Sequence, residues 1–217
     1  MMRPVPNREE YLKLRNGGFQ VSNVARIRQG DEALKSSLVQ MNYSCLPNED
    51  GTLNGSKRMS TTVGMDIDHL TAEEMPAVRQ RILSKKGELG LLMLEESARG
   101  LGYHLVFKRR PELDQVGNLK WASDLLEVAY DAQAKDITRV FFTTTGSAED
   151  LLFLDDAVFD ISAAENINSK ELRSQGVYGA PHLPGAAMAQ SAKTPLLPDS
   201  LDIRIILLSY GDGQIQE

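Results

Sequence analysis

The residues with the clearest capacity for chemistry are two aspartates, Asp66 and Asp68, at the end of an apolar segment. Residues 63–68 read Val-Gly-Met-Asp-Ile-Asp, a pattern typical of a strand. Because successive side chains of a strand point to opposite faces, both carboxylates lie on one face. Carboxylate oxygens are preferred ligands of Mg²⁺ and Mn²⁺, the ions that hold phosphates in phosphoryl-transfer sites. The pair therefore predicts a divalent-metal site; the alternative is that both acids only solvate a strand end.

Length and composition limit the class of protein. The chain of 217 residues, 41% of them hydrophobic, is long enough to bury one core. No apolar run approaches the ~20 residues that cross a bilayer, and residues 1–10 lack the apolar centre of a signal peptide. We therefore expect a cytoplasmic protein with no membrane partner. The single cysteine, Cys45, excludes an internal disulfide framework and a zinc site built from thiolates.

Charge is unevenly distributed along the chain. The net charge of -6 argues against a protein that coats nucleic acid through bulk charge, but a local basic groove remains open. Basic residues outnumber acidic ones up to Arg28, and a second basic cluster occupies residues 108–110. Each cluster is either a contact for nucleic acid or an ordinary solvated face.

The predicted elements around the aspartates follow the order β-α-β-β-α-β. The strands are expected at residues 59–68, 89–95, 103–108 and 139–143, and the helices at residues 71–86 and 118–134. Thr71 and Glu74 form a capping box at the start of the first of these helices, and Gly87 ends it. Further helical pieces at 9–15 and 24–29 precede this core. The order is that of the split βαβ, ferredoxin-like or RRM-like fold, so we predict an α+β protein with an antiparallel sheet and added N-terminal helices.

This fold predicts which side chains meet. Its strands lie in the order 4-1-3-2, so the end of the first strand lies beside the starts of the third and fourth. Asp66 and Asp68 are then expected to meet His104 and Asp136. On the third strand, His104 and Lys108 are expected on an open face with the acids. Side chains of that strand expected to pack against the helices are Tyr103, Leu105 and Phe107.

These residue types suit the handling of a nucleoside triphosphate. Three carboxylates can hold one or two divalent ions, which neutralise charge on the reacting phosphate and lower the pKa of an attacking 3′-hydroxyl. The loop at residues 97–102, Ser-Ala-Arg-Gly-Leu-Gly, contains two glycines that let backbone N–H groups turn inward around an anion. His104, Lys108 and Arg139 can add contacts to phosphate. The alternative is that the loop is only a hairpin connection and the histidine is structural.

Three segments resemble, in their order and spacing, the motifs of the archaeo-eukaryotic primase superfamily. They are Asp66–Asp68, Glu96–His104 and Asp136–Arg139. Leu46-Pro47, followed by the glycine-containing loop at 51–55, is similar to the primase-polymerase branch represented by the VirE N-terminal domain of bacterial mobile-element proteins. The resemblance covers about residues 24–159. In this family relatives commonly carry a small hydroxyl residue where Arg99 stands here.

The resemblance implies a metal-dependent nucleotidyltransferase, a DNA primase or polymerase that adds nucleotides to a primer on a DNA template during replication of a mobile element. It implies Asp66, Asp68 and Asp136 as catalytic ligands of Mg²⁺ or Mn²⁺, with Ser97 and His104 on the nucleotide and Arg139 on phosphate. With the glycine loop and Lys108, the candidate nucleotide-binding residues are Ser97, Arg99, Gly100, Gly102, His104, Lys108 and Arg139. Implied partners are nucleoside triphosphates, single-stranded or primed DNA and a replicative helicase.

The sequence predicts one domain followed by an extension, and two other functions remain open. Residues 1–165 are expected to form the primase-polymerase-like domain, and residues 166–217 a linker or C-terminal extension containing Pro and Gly. One alternative is a catalytically inactive nucleic-acid-binding module of the same fold that assists replication. Another is a transferase of nucleotide sugars, in which an Asp-x-Asp pair also holds a metal. That class expects a mainly parallel sheet.

Overall fold

The structure, a computed structural model, describes residues Met2 to Ala164. Its main sheet has four antiparallel strands in the order β2-β4-β3-β6. The strands are β2 (Thr62–Ile67), β3 (Leu91–Glu96), β4 (Tyr103–Lys108) and β6 (Leu151–Leu154). A second, two-stranded sheet pairs β1 (Gln40–Met41) with β5 (Phe141–Phe142). The described chain is therefore α+β with antiparallel sheets, and the expected extension at residues 166–217 lies outside the described residues.

Each of the four predicted helices overlaps a helix of the structure, but the second begins at Gly18, six residues before its predicted start at residue 24. The α-helices are α1 (Arg8–Arg15), α2 (Gly18–Arg28), α3 (Glu74–Ser84), α4 (Lys86–Leu89) and α5 (Gln115–Leu126), with 3₁₀ helices at Glu32–Ser37, Ala132–Lys135 and Asp156–Phe159. The predicted capping box is confirmed, because the Thr71 N–H donates to Glu74 Oε2 at 2.8 Å and the Glu74 N–H donates to Thr71 Oγ1 at 3.2 Å. Between Met2 and Ala164 the structure contains no helix with the length and apolar character needed to cross a membrane.

The ends of two helices differ from the prediction. Gly87 does not stop the first helix of the core; α3 ends at Ser84, and the left-handed turn lies at Gly90, with φ 66°. Glycine adopts this conformation without the cost of a Cβ. Helix α5 ends at Leu126 rather than near residue 134, because Glu127 takes a left-handed conformation with φ 51°. Of the residues predicted to continue this helix, only Ala132 to Ala134 are helical, in the 3₁₀ helix Ala132–Lys135.

Three strands of the main sheet have the predicted arrangement, and the fourth does not. β4 lies between β2 and β3 and is antiparallel to both. The strand expected at 139–143 is reduced to Phe141–Phe142, and it pairs with β1 instead of with β2. Asn42 explains part of this, since its side-chain amide donates to the carbonyls of Ile137 and Arg139 at 2.8 Å each. The segment is thereby held against β1, and the fourth strand of the sheet is β6.

Both faces of the main sheet are covered. On one face the predicted side chains, among them Leu105 and Phe107, pack with α3 and α5. The other face was expected to be open, and this prediction was wrong: Tyr11 of α1 and Phe141 of β5 pack there with Val106. Gly64 permits the close approach, because a Cβ at this position would lie 2.7 Å from the Phe141 ring. The apolar side chains on this face bury themselves under the N-terminal helices rather than remain in water.

Most of the basic side chains identified in the sequence form hydrogen bonds, ion pairs or ring contacts with other residues of the fold. Arg109 is buried, donates from Nη2 to Gln115 Oε1 at 2.8 Å, and has its pKa lowered to about 10 by burial. The guanidinium of Arg110 lies 4.6 Å from the centroid of the Trp121 ring. Aspartate partners hold Arg8, Arg26 and Arg28. These two clusters are therefore not bare basic patches.

Candidate active site

The two aspartates lie at the end of β2, where the chain leaves the sheet. Asp66 belongs to the strand and is only 9% exposed, whereas Asp68 follows the strand and is half-buried. His69 comes next with φ 61°, a conformation that a non-glycine residue rarely adopts. Its N–H donates to Asp68 Oδ1 at 3.2 Å. The backbone therefore bends sharply directly after the acidic pair, which keeps Asp68 at the edge of the sheet.

Asp66 carries a buried oxygen that lacks a hydrogen-bond partner. Among residues 2–164, no donor reaches Oδ1, and His104 Nε2 is 3.7 Å away. Burial raises the pKa of Asp66; the positive charge of His104 lowers it less, and the nearby Asp68 and Asp131 carboxylates add to the rise. A buried, unpaired carboxylate oxygen is costly, and such groups commonly mark the place of a ligand or ion.

His104 is fixed from two sides. Its Nδ1 donates to Glu95 Oε1 at 2.9 Å, and its ring packs edge-on against Phe141 with centroids 5.3 Å apart. Burial alone lowers the pKa of His104, but the hydrogen bond and negative charge of Glu95 outweigh burial and raise it overall. The other ring nitrogen, Nε2, is left facing Asp66.

A buried ion pair lies behind His104. Glu95 and Arg15 are both fully buried and bonded to each other, and the Thr144 N–H donates to Glu95 Oε2 at 3.1 Å. Burial tends to raise the pKa of Glu95, yet Arg15 and His104 outweigh it and hold this pKa at about 2. Sequence reasoning missed both residues. The available signal was a charged residue inside an otherwise apolar strand, at residues 91–95.

The predicted glycine loop lies against the acidic pair. A Cβ on Gly102 would be 2.3 Å from the Ile67 carbonyl oxygen and 3.2 Å from Asp68 Cα, so the contact requires glycine. Gly100 has φ 77°, and the Ser97 N–H donates to the Gly102 carbonyl at 2.9 Å. The loop is thus a hairpin connection, as the alternative interpretation held. It also carries a buried hydroxyl, Ser97 Oγ, without a partner among the described residues.

Two predicted nucleotide-binding residues are held elsewhere. Lys108 lies opposite Thr62 at the far end of β4. It is four positions along the strand from His104, a distance of about 13 Å. Arg99 donates from Nη2 to Glu32 Oε2 at 2.8 Å on the surface. Lys108 therefore does not join the acidic pair, and Arg99 has an acidic partner in the 3₁₀ helix at Glu32–Ser37.

The third acid near the pair is Asp131 rather than Asp136. Asp136 is exposed, and its Oδ1 accepts hydrogen bonds from the Thr138 N–H at 2.9 Å and the Thr138 hydroxyl at 2.8 Å. The Asp131 N–H instead donates to the Asp66 carbonyl at 2.8 Å, and Arg139 Nη2 lies 3.7 Å from Asp131 Oδ2. Sequence reasoning missed Asp131 because it assumed that the long helix continued past it. Within the described chain, no three His, Cys, Asp or Glu side chains form a group able to hold a metal ion.

Lys35 adds a positive charge that sequence reasoning also missed. It belongs to the 3₁₀ helix that the Glu32–Arg99 pair ties to the glycine loop. Its Nζ lies 5.7 Å from the centroid of the Phe142 ring, and its charge acts to lower the pKa of His104. Lys35 is therefore a cation whose effect on His104 opposes that of the Glu95 and Asp66 carboxylates.

An apolar cleft of about 400 Å³ lies elsewhere on the molecule. It is formed mainly by apolar and aromatic side chains, including Tyr11, Met41, Tyr43, Leu53 and Phe159. None of the predicted site residues lines it. Cys45 does, and burial raises the pKa of its thiol to about 11, so this cysteine is not a thiolate nucleophile at neutral pH.

Comparisons of the chain with protein families, with curated proteins and with solved structures gave no match. The function must therefore be argued from the residues and their geometry. What the site combines is a buried carboxylate oxygen of Asp66 without a partner, an imidazole facing it, the nearby Asp68 carboxylate and a glycine loop packed against Asp68. This arrangement can bind a divalent cation on one side and an anionic group on the other.

Proposed function

We propose that the chain is a metal-dependent nucleotidyltransferase of the primase-polymerase type, which adds nucleotides to a primer on a DNA template. Its substrates are nucleoside triphosphates and single-stranded or primed DNA. The proposal extends to replication of a mobile element, alongside a replicative helicase, and to a cytoplasmic location. The order β2-β4-β3 supports a variant of the split βαβ fold of the primase-polymerase type, in which β6 extends the sheet beyond β3, at the edge opposite to that of the expected fourth strand.

The observation that carries the proposal is the unpartnered Oδ1 of Asp66. It is buried, it lies 3.7 Å from His104 Nε2, and a second carboxylate follows two residues later. A buried carboxylate oxygen of this kind requires a partner, which a bound ion or a water can supply. Mg²⁺ or Mn²⁺ fits the hard oxygen donors of Asp66 and Asp68.

Different residues would bind the metal ion and the triphosphate. Asp66 and Asp68 would hold the ion, which when bound would neutralise charge on the triphosphate and lower the pKa of the attacking hydroxyl. His104, whose Nδ1–H is bonded to Glu95, would donate from Nε2–H to a phosphate oxygen. The Ser97 hydroxyl and the half-exposed Arg139 offer further hydrogen bonds to the same group. Catalysis would then come mainly from positioning and from charge stabilisation, as in other phosphoryl transfers.

The proposal is tested by incorporation of labelled nucleotides on single-stranded and primed DNA with Mn²⁺ or Mg²⁺. The native chain is compared with an Asp66→Ala, Asp68→Ala double variant. A matched control, Glu149→Ala with Asp160→Ala, removes two exposed acids elsewhere. We expect incorporation by the native chain and the control and none by the site variant. Equal incorporation by all three proteins would contradict the proposal.

A second candidate is a catalytically inactive module of the same fold that binds nucleotide or nucleic acid. It is favoured by Asp136, whose carboxylate is bonded to Thr138 and so is not presented as a third ligand. Calorimetric titration with Mn²⁺ and a nucleoside triphosphate separates the two candidates. Binding that depends on Asp66, without incorporation, would identify the inactive module.

A further inference from the structure

Two fully buried charged side chains, Glu95 and Arg15, lie directly behind His104. Glu95 is opposite His104 in the pairing of β3 with β4, and its Oε1 is 2.9 Å from His104 Nδ1. A carboxylate can only accept a hydrogen bond, so the proton of this bond belongs to Nδ1. Nε2 consequently faces Asp66, on the side where a ligand would enter.

The carboxylate of Glu95 is itself held rigidly. Its second oxygen, Oε2, accepts from the Thr144 N–H at 3.1 Å and from the Thr144 hydroxyl at 3.0 Å, in addition to the bond from Arg15. Arg15 in turn donates to the Tyr11 hydroxyl at 2.5 Å and to Thr144 Oγ1 at 3.1 Å. With all these partners fixed, the carboxylate cannot rotate away from the imidazole.

Stability alone does not explain an ion pair at this depth. The removal of two charges from water is costly, and well-packed apolar residues often replace a buried pair without loss of stability. Part of the positive charge of Arg15 is also needed simply to keep Glu95 ionised in the interior. The pair therefore calls for a role that apolar side chains could not perform, and the hydrogen bond to His104 is such a role.

We propose that Glu95, braced by Arg15, is a positioning residue that holds the imidazole of His104 with its Nδ1–H on the Glu95 carboxylate and with its Nε2–H directed at the triphosphate of an incoming nucleotide. The identity of the ligand rests on the proposed function. The orientation of the imidazole does not, and it can be measured separately.

Two double variants of the full chain test this role. Arg15→Met with Glu95→Met removes the charges and the acceptor, whereas Arg15→Met with Glu95→Gln removes the charges but keeps an oxygen that can accept from Nδ1. A purely structural pair predicts the same behaviour for both. A positioning role predicts that only the Gln variant is rescued.

The first readout is the ¹⁵N and ¹H NMR spectrum of the imidazoles. The chain has three histidines, so a His104→Asn variant assigns the signals of His104. We expect a protected Nδ1 proton in the native chain and in the Gln variant, and its loss in the Met variant. An unchanged Nδ1 signal in the Met variant would overturn the proposal. If that variant does not fold, absence of the protected Nδ1 proton from the native chain would overturn it as well.

The second readout is calorimetric titration of Mn²⁺ with a non-hydrolysable nucleoside triphosphate. We expect the Met variant to bind about tenfold more weakly than the native chain, the scale of effect typical of such supporting contacts, with the Gln variant close to the native affinity. Equal affinities in the two double variants would overturn the positioning role. If the native chain binds no nucleotide, the proposed function fails, and the imidazole spectra alone decide whether Glu95 positions His104.

Discussion

Asp66 and His104 lie directly opposite each other on β2 and β4, yet Oδ1 of one and Nε2 of the other remain 3.7 Å apart. This separation is longer than a hydrogen bond. Each group has charge or hydrogen-bonding capacity that the other does not satisfy. The unsatisfied groups of the site therefore lower the stability of the fold. A mutation that removes one of them can raise stability while it abolishes function.

The replacement Asp66→Asn should stabilise the protein and abolish nucleotide incorporation. Burial raises the pKa of Asp66, so the ionised form weakens the fold. Stability is lost as pH rises above the ordinary value of 3.8, and the loss is complete once pH exceeds the native pKa. A neutral amide avoids that cost, and we expect the free energy of unfolding at pH 7 to rise by about 1 kcal/mol. Urea unfolding measures the change. The exposed control Asp160→Asn should leave both stability and incorporation unaltered.

Gly102→Ala should disturb the site through the backbone. The added Cβ would lie 2.3 Å from the Ile67 carbonyl oxygen, so the loop must move away from Asp68. We expect a loss of about 3 kcal/mol in the free energy of unfolding and weaker Mn²⁺ binding. Gly87→Ala is the matched control, because that position has open space and lies in a helix. It should gain about 0.5 kcal/mol or more. Comparable losses in the two variants would contradict the packing argument.

Acid should destabilise the protein through Glu95. The pKa of this carboxyl is held at about 2, below its ordinary value of 4.5. Its contribution is therefore present above pH 4.5 and is lost as pH falls toward 2, by about 3 kcal/mol. Urea unfolding measured between pH 2.5 and 6 should show this loss in the native chain. The loss should be smaller in the double variant Arg15→Met, Glu95→Gln, and retained in the exposed control Glu149→Gln.

Substitution of Asp131 or Asp136 tests which of them acts with Asp66 and Asp68 in metal binding. Each carboxylate accepts from a nearby backbone N–H, that of Asp131 from Gln133 and that of Asp136 from Thr138, but only the Asp131 backbone is bonded to the Asp66 backbone. We expect Asp131→Asn to weaken Mn²⁺ binding about tenfold, a loss of about 1.4 kcal/mol, and Asp136→Asn to change it by less than about twofold. Titration of Mn²⁺ followed by electron paramagnetic resonance distinguishes the two. The reverse order would restore the ligand set implied by the family resemblance.

Local patterns in the sequence predicted much of what positions the site. The strand at 103–108, the capping box of Thr71 and Glu74, and the approach of the 97–102 loop to Asp68 all follow from alternation, capping chemistry and glycine. These features depend on interactions between residues near in sequence or on adjacent strands. Their side-chain types therefore determine them almost unaided.

The tertiary structure decided the rest. The chain alone did not reveal that Phe141 would lie on the face of the sheet, because the preference of this segment for β1 over β2 depends on Asn42 about a hundred residues earlier. Nor did it reveal that Arg15, on a helix with exposed neighbours, would reach Glu95 across 80 positions. Such pairings depend on which long-range contacts bury apolar surface and pair buried charges such as Arg15 and Glu95, and no local pattern encodes that choice. The sequence by itself thus determined the acids, the imidazole and the loop, and only the folded chain selected Asp131, Glu95 and Arg15 as their neighbours.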